Sequence, residues 1–453
     1  MEQSASAVKM GFAGLGRVQF DLEEANRQYL AASKTLQASF PGAELAVVPE
    51  LATTPADAVT VAHRLKTAGI DMLVLQLATF TDASLITAFF SELAVPTTLW
   101  ALPEPSIGDG GRLRLNSLCG VNLAAYTLTS GGKNFNYVYG LPDDAEVIEI
   151  IDRRYRALQL DKIMRGLKLG VVGTRPPGFF PSGFDELKLW REIGPRITMY
   201  NLSQVFGATN EVPDSQVQDV RSMLRSCLNG LDELPEQVVC TAASTYQALT
   251  DLAASDELGA LAVKCWPEFF VEHQAAACGV LAALMENGLV AACEADVHGA
   301  VTMKALQFLS QRPVFLADLV AADKNKDSIV LWHCGNAAFS LAAVPSERKA
   351  GVHSNRKIGV TAQFALKPGE VTLARLSYSQ GNYRLLLAEG EALDSPLLFA
   401  GNTAEVRPLA GAKKLLDTII YGGYEHHLVM AYGHHAESLQ TWADLIGLEV
   451  VRI

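Results

Sequence analysis
Through the first third of the chain, short unbroken apolar runs alternate with longer segments of helical period. Residues 9–14, 43–50, 71–78 and 95–105 read as strands, the last ending in a proline-rich loop, while residues 22–39, 56–67 and 82–93 read as helices. Strands apolar on both faces, separated by helices of this length, predict a parallel sheet covered on both sides. A charged helix over residues 146–167 then leads into a second α/β region. Strands are expected there at the start of KLGVVGTRPPGFFPSGFDE (residues 168–186) and at VVCTA (238–242), LAVKCW (261–266) and LVAACEAD (289–296), and the apolar stretch 275–285 reads as a buried helix.

The pattern changes past residue 327. SIVLWHCG, IGVTAQFAL, EVTLARLSYS, YRLLLAEGEAL and AEVRPL are short segments, many with period-two alternation, separated by turn residues. They predict an antiparallel, barrel-like β region, closed by a helix over 436–446 and a final strand, LEVVRI. The expected organisation is an N-terminal α/β domain (1–165), a central α/β domain (166–326) and a C-terminal β domain (327–453).

A length of 453 residues also exceeds one ordinary core. With 49% hydrophobic and 19% charged residues the chain reads as folded rather than disordered. A net charge of −12 argues against nucleic acid as the main partner, since phosphate binding wants a basic face. The start, MEQSASAVKMGF, lacks the basic region and apolar core of a secretory signal, and no apolar run reaches the roughly 18–20 residues that span a bilayer. Seven scattered cysteines without a CxxC pair suggest reduced thiols, and the expectation is a cytoplasmic protein without membrane contact.

Four of the nine histidines fall in YEHHLVMAYGHH (residues 424–435), which suggests a metal or acid–base site. His426 and His427 are adjacent, so in extended chain they point opposite ways and one of them is expected to face a given site. ACEADVHG follows a buried strand; if the strand continued, Glu294, Asp296 and His298 would share a face, a divalent-metal signal. The alternative is a helix N-terminus whose acids favour the macrodipole. In KCWPEF, Pro267 stops a strand and Glu268 lies in the following loop, where it could work with Asp296. Arg175 stands in a rigid Gly/Pro loop beyond a strand end, able to hold a substrate or an internal carboxylate. His333, in HCGNAA, is a candidate for the metal's surroundings. Residues 114–144, rich in Asn, Ser, Gly and Tyr, could hydrogen-bond a polyol or simply pack a helix. AGLGRV (13–18) has Gln19 where a dinucleotide fingerprint needs glycine, so a tight strand-to-helix turn is the better reading, with Arg17 still able to reach an anion.

Taken in order, GTRPPGF, KCWPEF, ACEADVHGA, HCGNAA and the C-terminal histidine pair resemble the L-fucose/L-arabinose isomerase family over most of the chain. The resemblance implies aldose–ketose isomerisation through an enediolate, with Mn²⁺ or another divalent cation. It carries the family's metal ligands onto Glu268, Asp296 and His427, with Glu268 and Asp296 as the acid/base pair; whether Glu294 or Asp296 is the ligand stays open. Arg17, Arg175, His333, Glu294 and His298 are the substrate-binding candidates. The resemblance also implies a homo-oligomer, trimer or hexamer, with Arg17 able to reach a neighbour's site. Within such a family the substrate is a small sugar: sulfoquinovose, converted to sulfofructose, or a neutral pentose or 6-deoxyhexose such as L-fucose or D-arabinose. The competing classes are a nicotinamide-dependent oxidoreductase and a non-catalytic sugar-binding protein.

Overall fold
The computed structural model describes residues 8–106 and 109–453. The chain divides into two compact units, one ending at Gln159 and the other starting at Leu160.

The first unit alternates β1 (Lys9–Leu15), α1 (Leu22–Ser39), β2 (Glu44–Val47), α2 (Pro55–Thr67), β3 (Met72–Leu77), α3 (Ala83–Glu92), β4 (Thr97–Ala101), α4 (Ser117–Ser130) and β5 (Phe135–Tyr139). Helix α5 (Ala145–Gly166) follows and crosses the boundary into the second unit. The strands form a parallel sheet in the order β2-β1-β3-β4-β5. Its central strand β3 is buried along its whole length, as its unbroken apolar run requires. Gly14, near the end of β1, is explained by packing: a Cβ there would press on Leu51 and Tyr29. Residues 114–144 supply α4 and β5, a helix and strand of this sheet.

The second unit opens with β6 (Lys168–Val172), α6 (Glu186–Glu192), β7 (Arg196–Tyr200), α7 (Leu202–Thr209), α8 (Asp214–Cys227), α9 (Glu236–Ser255), β8 (Ala260–Val263), α10 (Glu268–Val271), α11 (Cys278–Glu286), β9 (Val290–Ala292) and α12 (Val297–Ser310). Its four strands are parallel in the order β7-β6-β8-β9. VVCTA, expected as a strand, lies inside α9. Five apolar residues alone do not separate a strand from a buried helix turn; the surrounding burial at Val239, Ala242, Ala243, Leu249 and Ala253 follows the helical three-to-four spacing.

The remaining elements are β10 (Phe315–Asp323), β11 (Ser328–His333), β12 (Lys349–Val352), β13 (Gly359–Ala365), β14 (Gly369–Ser379), β15 (Asn382–Ala392), β16 (Asn402–Pro408), α13 (Ala412–Gly422), β17 (His427–Tyr432), α14 (Ala436–Ile446) and β18 (Glu449–Arg452). They form one mixed, mostly antiparallel sheet, β12-β13-β16-β11-β10-β17-β14-β15-β18. A further pairing of β15 with β16 joins Gly390 to Pro408 and closes six of these strands into a ring. Closure removes two sheet edges, leaving the β12–β13 pair and β18 as flanking additions. The class is therefore two parallel α/β sheets followed by a β domain of barrel character. Among the described residues, no helix is long and apolar enough to cross a membrane.

Candidate active site
Strand β9 stops at Ala292, and the chain then turns through two consecutive left-handed residues, Glu294 (φ 58°) and Ala295 (φ 53°). Left-handed non-glycine residues are uncommon and gather at functional sites. The expected alternation of Glu294, Asp296 and His298 along a strand does not occur, because the strand has already ended. Glu294 turns toward the barrel. Asp296 caps α12, accepting from the Gly299 amide at 2.8 Å. Glycine is needed at 299, since a Cβ there would meet the Asp296 carboxylate at 2.4 Å. His298 lies within α12, 1% exposed, with neither ring nitrogen hydrogen-bonded among the described residues; burial pulls its pKa down to about 4.

Strands β10 and β17 are antiparallel neighbours with Asp318 directly opposite His427. Residues paired in this way share a face with their Cβ atoms about 5 Å apart. His427 Nε2 is 3.4 Å from Asp318 Oδ1 and 3.8 Å from Glu294 Oε2. His426 Nε2 also reaches Glu294 Oε2, at 3.0 Å, and the two imidazole centroids are 4.1 Å apart. The expectation that only one of this histidine pair faces a given site is corrected here. His426 precedes the first residue of β17, so strand alternation does not govern it.

Behind His427 stands a buried charge network. Asp296 Oδ2 lies 2.9 Å from His427 Nδ1, and Asp296 takes both terminal nitrogens of Arg375, at 2.5 and 3.1 Å. Arg375 Nε reaches Glu425 at 3.3 Å, and Glu425 accepts the Tyr378 amide. Burial pushes the Asp296 carboxyl up, but the Arg375 charge and the His427 hydrogen bond outweigh it and hold the group well below the usual carboxylate range. An ionised Asp296 fixes the His427 tautomer with its proton on Nδ1, which aims a bare Nε2 at Glu294 and Asp318. That Nε2 is buried and has no hydrogen-bond partner among the described residues.

Glu294, His426 and His427 offer ligand atoms that all lie within 4.8 Å of one another. Metal–ligand bonds of about 2.1 Å at angles near 90–110° separate neighbouring ligand atoms by about 3–3.5 Å, so this donor set fits a divalent cation. Burial raises the Glu294 carboxyl, while hydrogen bonds such as those from His426 and Trp266 act against it, and the group stays lowered. Trp266 Nε1 donates to the other Glu294 oxygen at 3.0 Å, and Phe179 packs edge-on against both Trp266 and His426.

Glu268 opens the one-turn helix α10 rather than lying in an open loop. One oxygen binds Lys264 Nζ at 2.5 Å and the other, buried, has no partner among the described residues. Glu268 does not belong to the gathered donor group. The His333 ring lies 5.8 Å from that of His427, and its Nδ1 accepts the Cys334 amide at 2.8 Å, leaving the proton on Nε2. Arg175 covers the Phe180 ring at 4.7 Å. Arg17, in the first unit, pairs with Asp82 at 2.7 Å. The second histidine pair serves elsewhere: His434 binds Glu389 and Glu370, and His435 the Tyr432 carbonyl.

Asp318, Arg375, Glu425 and Trp266 were not nominated from sequence, and His426 was nominated only as an alternative to His427. The available signals were single charges inside otherwise apolar strand segments, FLADLV and TLARLS, since a buried charge demands partners.

Comparison with known proteins adds identity to this geometry. Residues 12–167 match the family described as fucose/sulfoquinovose isomerase, N-terminal domain, and residues 331–453 match L-fucose isomerase, C-terminal domain. A sulfoquinovose isomerase of Priestia aryabhattai is 35% identical over 442 residues, 97% of each chain. One from Alkalicoccus urumqiensis is 36% identical over 385 residues, 84% of this chain and 86% of its own.

Proposed function
The chain belongs to the fucose/sulfoquinovose isomerase family and is an aldose–ketose isomerase, and from that premise we propose that it converts sulfoquinovose to sulfofructose with a divalent cation, Mn²⁺ or similar. The observation that carries the metal part is the bare, buried Nε2 of His427 facing Glu294 and Asp318. Glu294, His426 and His427 would hold the ion, with Asp318 beside them. Asp296, carried over from the family as ligand and acid/base, is assigned instead to orienting His427, because Arg375 and the Gly299 amide occupy its oxygens.

The reaction takes a proton from C2 of the open-chain aldose and returns it to C1, while a hydroxyl proton moves from O2 to O1. A hard divalent ion supplies polarisation of the sugar oxygens and offsets the negative charge of the enediolate. Glu268 is the proposed proton carrier: Lys264 takes one oxygen and leaves the other unengaged. His333, whose Nδ1 accepts the Cys334 amide, is the proposed donor to a sugar oxygen through Nε2. Trp266 and Phe179 wall the site and restrict water at the proton-transfer step.

The substrate assignment follows the two relatives named above. It is tested by turnover of sulfoquinovose, L-fucose, D-arabinose and L-arabinose with Mn²⁺, read by NMR of the ketose. Sulfoquinovose is expected to exceed the neutral sugars at least about 100-fold in kcat/KM, the scale of two or three charge-assisted hydrogen bonds. Turnover of neutral sugars alone would reject it. Arg175 is the proposed sulfonate holder, and Arg17 is proposed to reach the site of a neighbouring copy. Arg175→Gln is expected to raise KM for sulfoquinovose about tenfold or more, with KM for a slow neutral sugar unchanged; equal changes for both sugars would remove Arg175 from that role. The protein is also proposed to form a homo-oligomer, supported by exposed Leu409, Ile420 and Tyr421.

A further inference from the structure
A second constellation lies apart from the carboxylate–histidine group. Cys278, the first residue of α11, Cys334, just past β11, and His353, just past β12, bring their sulfur and nitrogen atoms within 4.8 Å of one another. Three separate elements supply them. His353 Nδ1 faces the amides of Asn355 and Arg356 at 3.2 and 3.3 Å and accepts from them. A neutral imidazole used in this way carries its proton on Nε2. That nitrogen can donate to a sulfur but has no lone pair free for a metal. The arrangement suits a stabilised thiolate better than a metal ion.

The two sulfurs are also unequal. Cys278 is 2% exposed, whereas Cys334 is only partly buried and can be reached from solvent. Its neighbours Cys278, His333 and His353 pull the Cys334 thiol far down against its burial. The same Cys334 contact, helped by burial, pushes Cys278 up. One sulfur is thus the nucleophile and its neighbour a protonated thiol in reach, the usual pairing of a peroxidatic and a resolving cysteine.

We propose that Cys334 is a site of oxidation by hydrogen peroxide and that Cys278 resolves it to an intramolecular disulfide. The Cys334 thiolate attacks one peroxide oxygen, the O–O bond breaks, and hydroxide leaves and is protonated to water, giving a sulfenic acid. Cys278 sulfur then attacks Cys334 sulfur, its proton leaves with the hydroxyl as a second water, and the S–S bond forms. Two electrons pass from the thiol pair to peroxide. A dithiol reductant reverses the change.

The test is thiol mapping by mass spectrometry on the full-length, Mn²⁺-loaded protein after brief exposure to hydrogen peroxide. It does not depend on the isomerase reading, because it needs no turnover. The expected result is a Cys278–Cys334 bridge formed while the exposed Cys119 remains a free thiol, and lost again on treatment with dithiothreitol. In Cys278→Ser the oxidation should stop at a sulfenic acid on Cys334, trapped by dimedone. Three results would each overturn the proposal: Cys119 oxidised before Cys334, a bridge between the neighbouring Cys265 and Cys293 (sulfurs 2.9 Å apart) in its place, or a bound zinc ion that shields Cys278 and Cys334. Should the variant fail to fold, the wild-type map decides alone.

Discussion

Glu268→Gln is expected to lower kcat for ketose formation by about three to four orders of magnitude while leaving Mn²⁺ affinity within about tenfold of wild type. The substitution keeps the side chain's shape and its contact with Lys264 but removes the basic oxygen. Glu268 stands outside the donor group of Glu294, His426 and His427, so the ion should stay. His427→Ala is expected to behave in the opposite way, losing the ion first and turnover as a consequence. The two are separated by titrating Mn²⁺ and by following exchange of the C2 proton into deuterated water. Glu268→Gln should bind metal and sugar yet show no exchange. Retention of a tenth of wild-type exchange would strip Glu268 of its role.

Arg375→Ala is expected to destabilise the second unit by about 3–5 kcal/mol, among the largest single-site effects available in this chain. Arg375 is 1% exposed and is bound by both Asp296 and Glu425, themselves buried. Removing it leaves two carboxylates out of water without their cation. The network also sets a pH dependence. Because the folded state holds the Asp296 carboxyl below its unfolded value, its contribution is complete above about pH 4 and is lost as pH falls through the folded-state value. Unfolding free energy of the wild type should therefore drop on acidification below about pH 4, and that of Asp296→Asn should drop less. Denaturant melts at pH 7 and pH 3 measure both effects; parallel pH profiles would show that Asp296 is not held ionised by Arg375.

The α/β character of both parallel sheets was readable because their strands are short apolar runs between periodic helices, as in DMLVLQLA. The barrel region was readable from period-two alternation, as in EVTLARLSYS. VVCTA was misread because five apolar residues carry no period of their own. In the site, His427 and the ACEADV segment could be nominated from residue type, but their roles could not. Which acid faces the histidines depends on β9 ending two residues before Glu294 and on two left-handed residues that turn it toward the barrel. No residue type demands that conformation. That His426 and His427 both reach Glu294 follows from where β17 begins, and that Asp318 joins them follows from register between β10 and β17. Both are tertiary facts. Arg375 was legible only as an anomaly, a charge amid apolar neighbours, and naming its partners required the fold.

We propose that Glu294, with the two adjacent histidines, grips the cation while Asp296 stands behind and aims His427. Mn²⁺ binding followed by electron paramagnetic resonance in Glu294→Gln and Asp296→Asn separates the two roles. Glu294→Gln should lose tight binding, by about a thousandfold or more, and Asp296→Asn should weaken it only about 10- to 100-fold, the size of an outer hydrogen-bonding partner's effect. Full-strength binding in Glu294→Gln together with its loss in Asp296→Asn would make Asp296 the ligand and overturn this assignment.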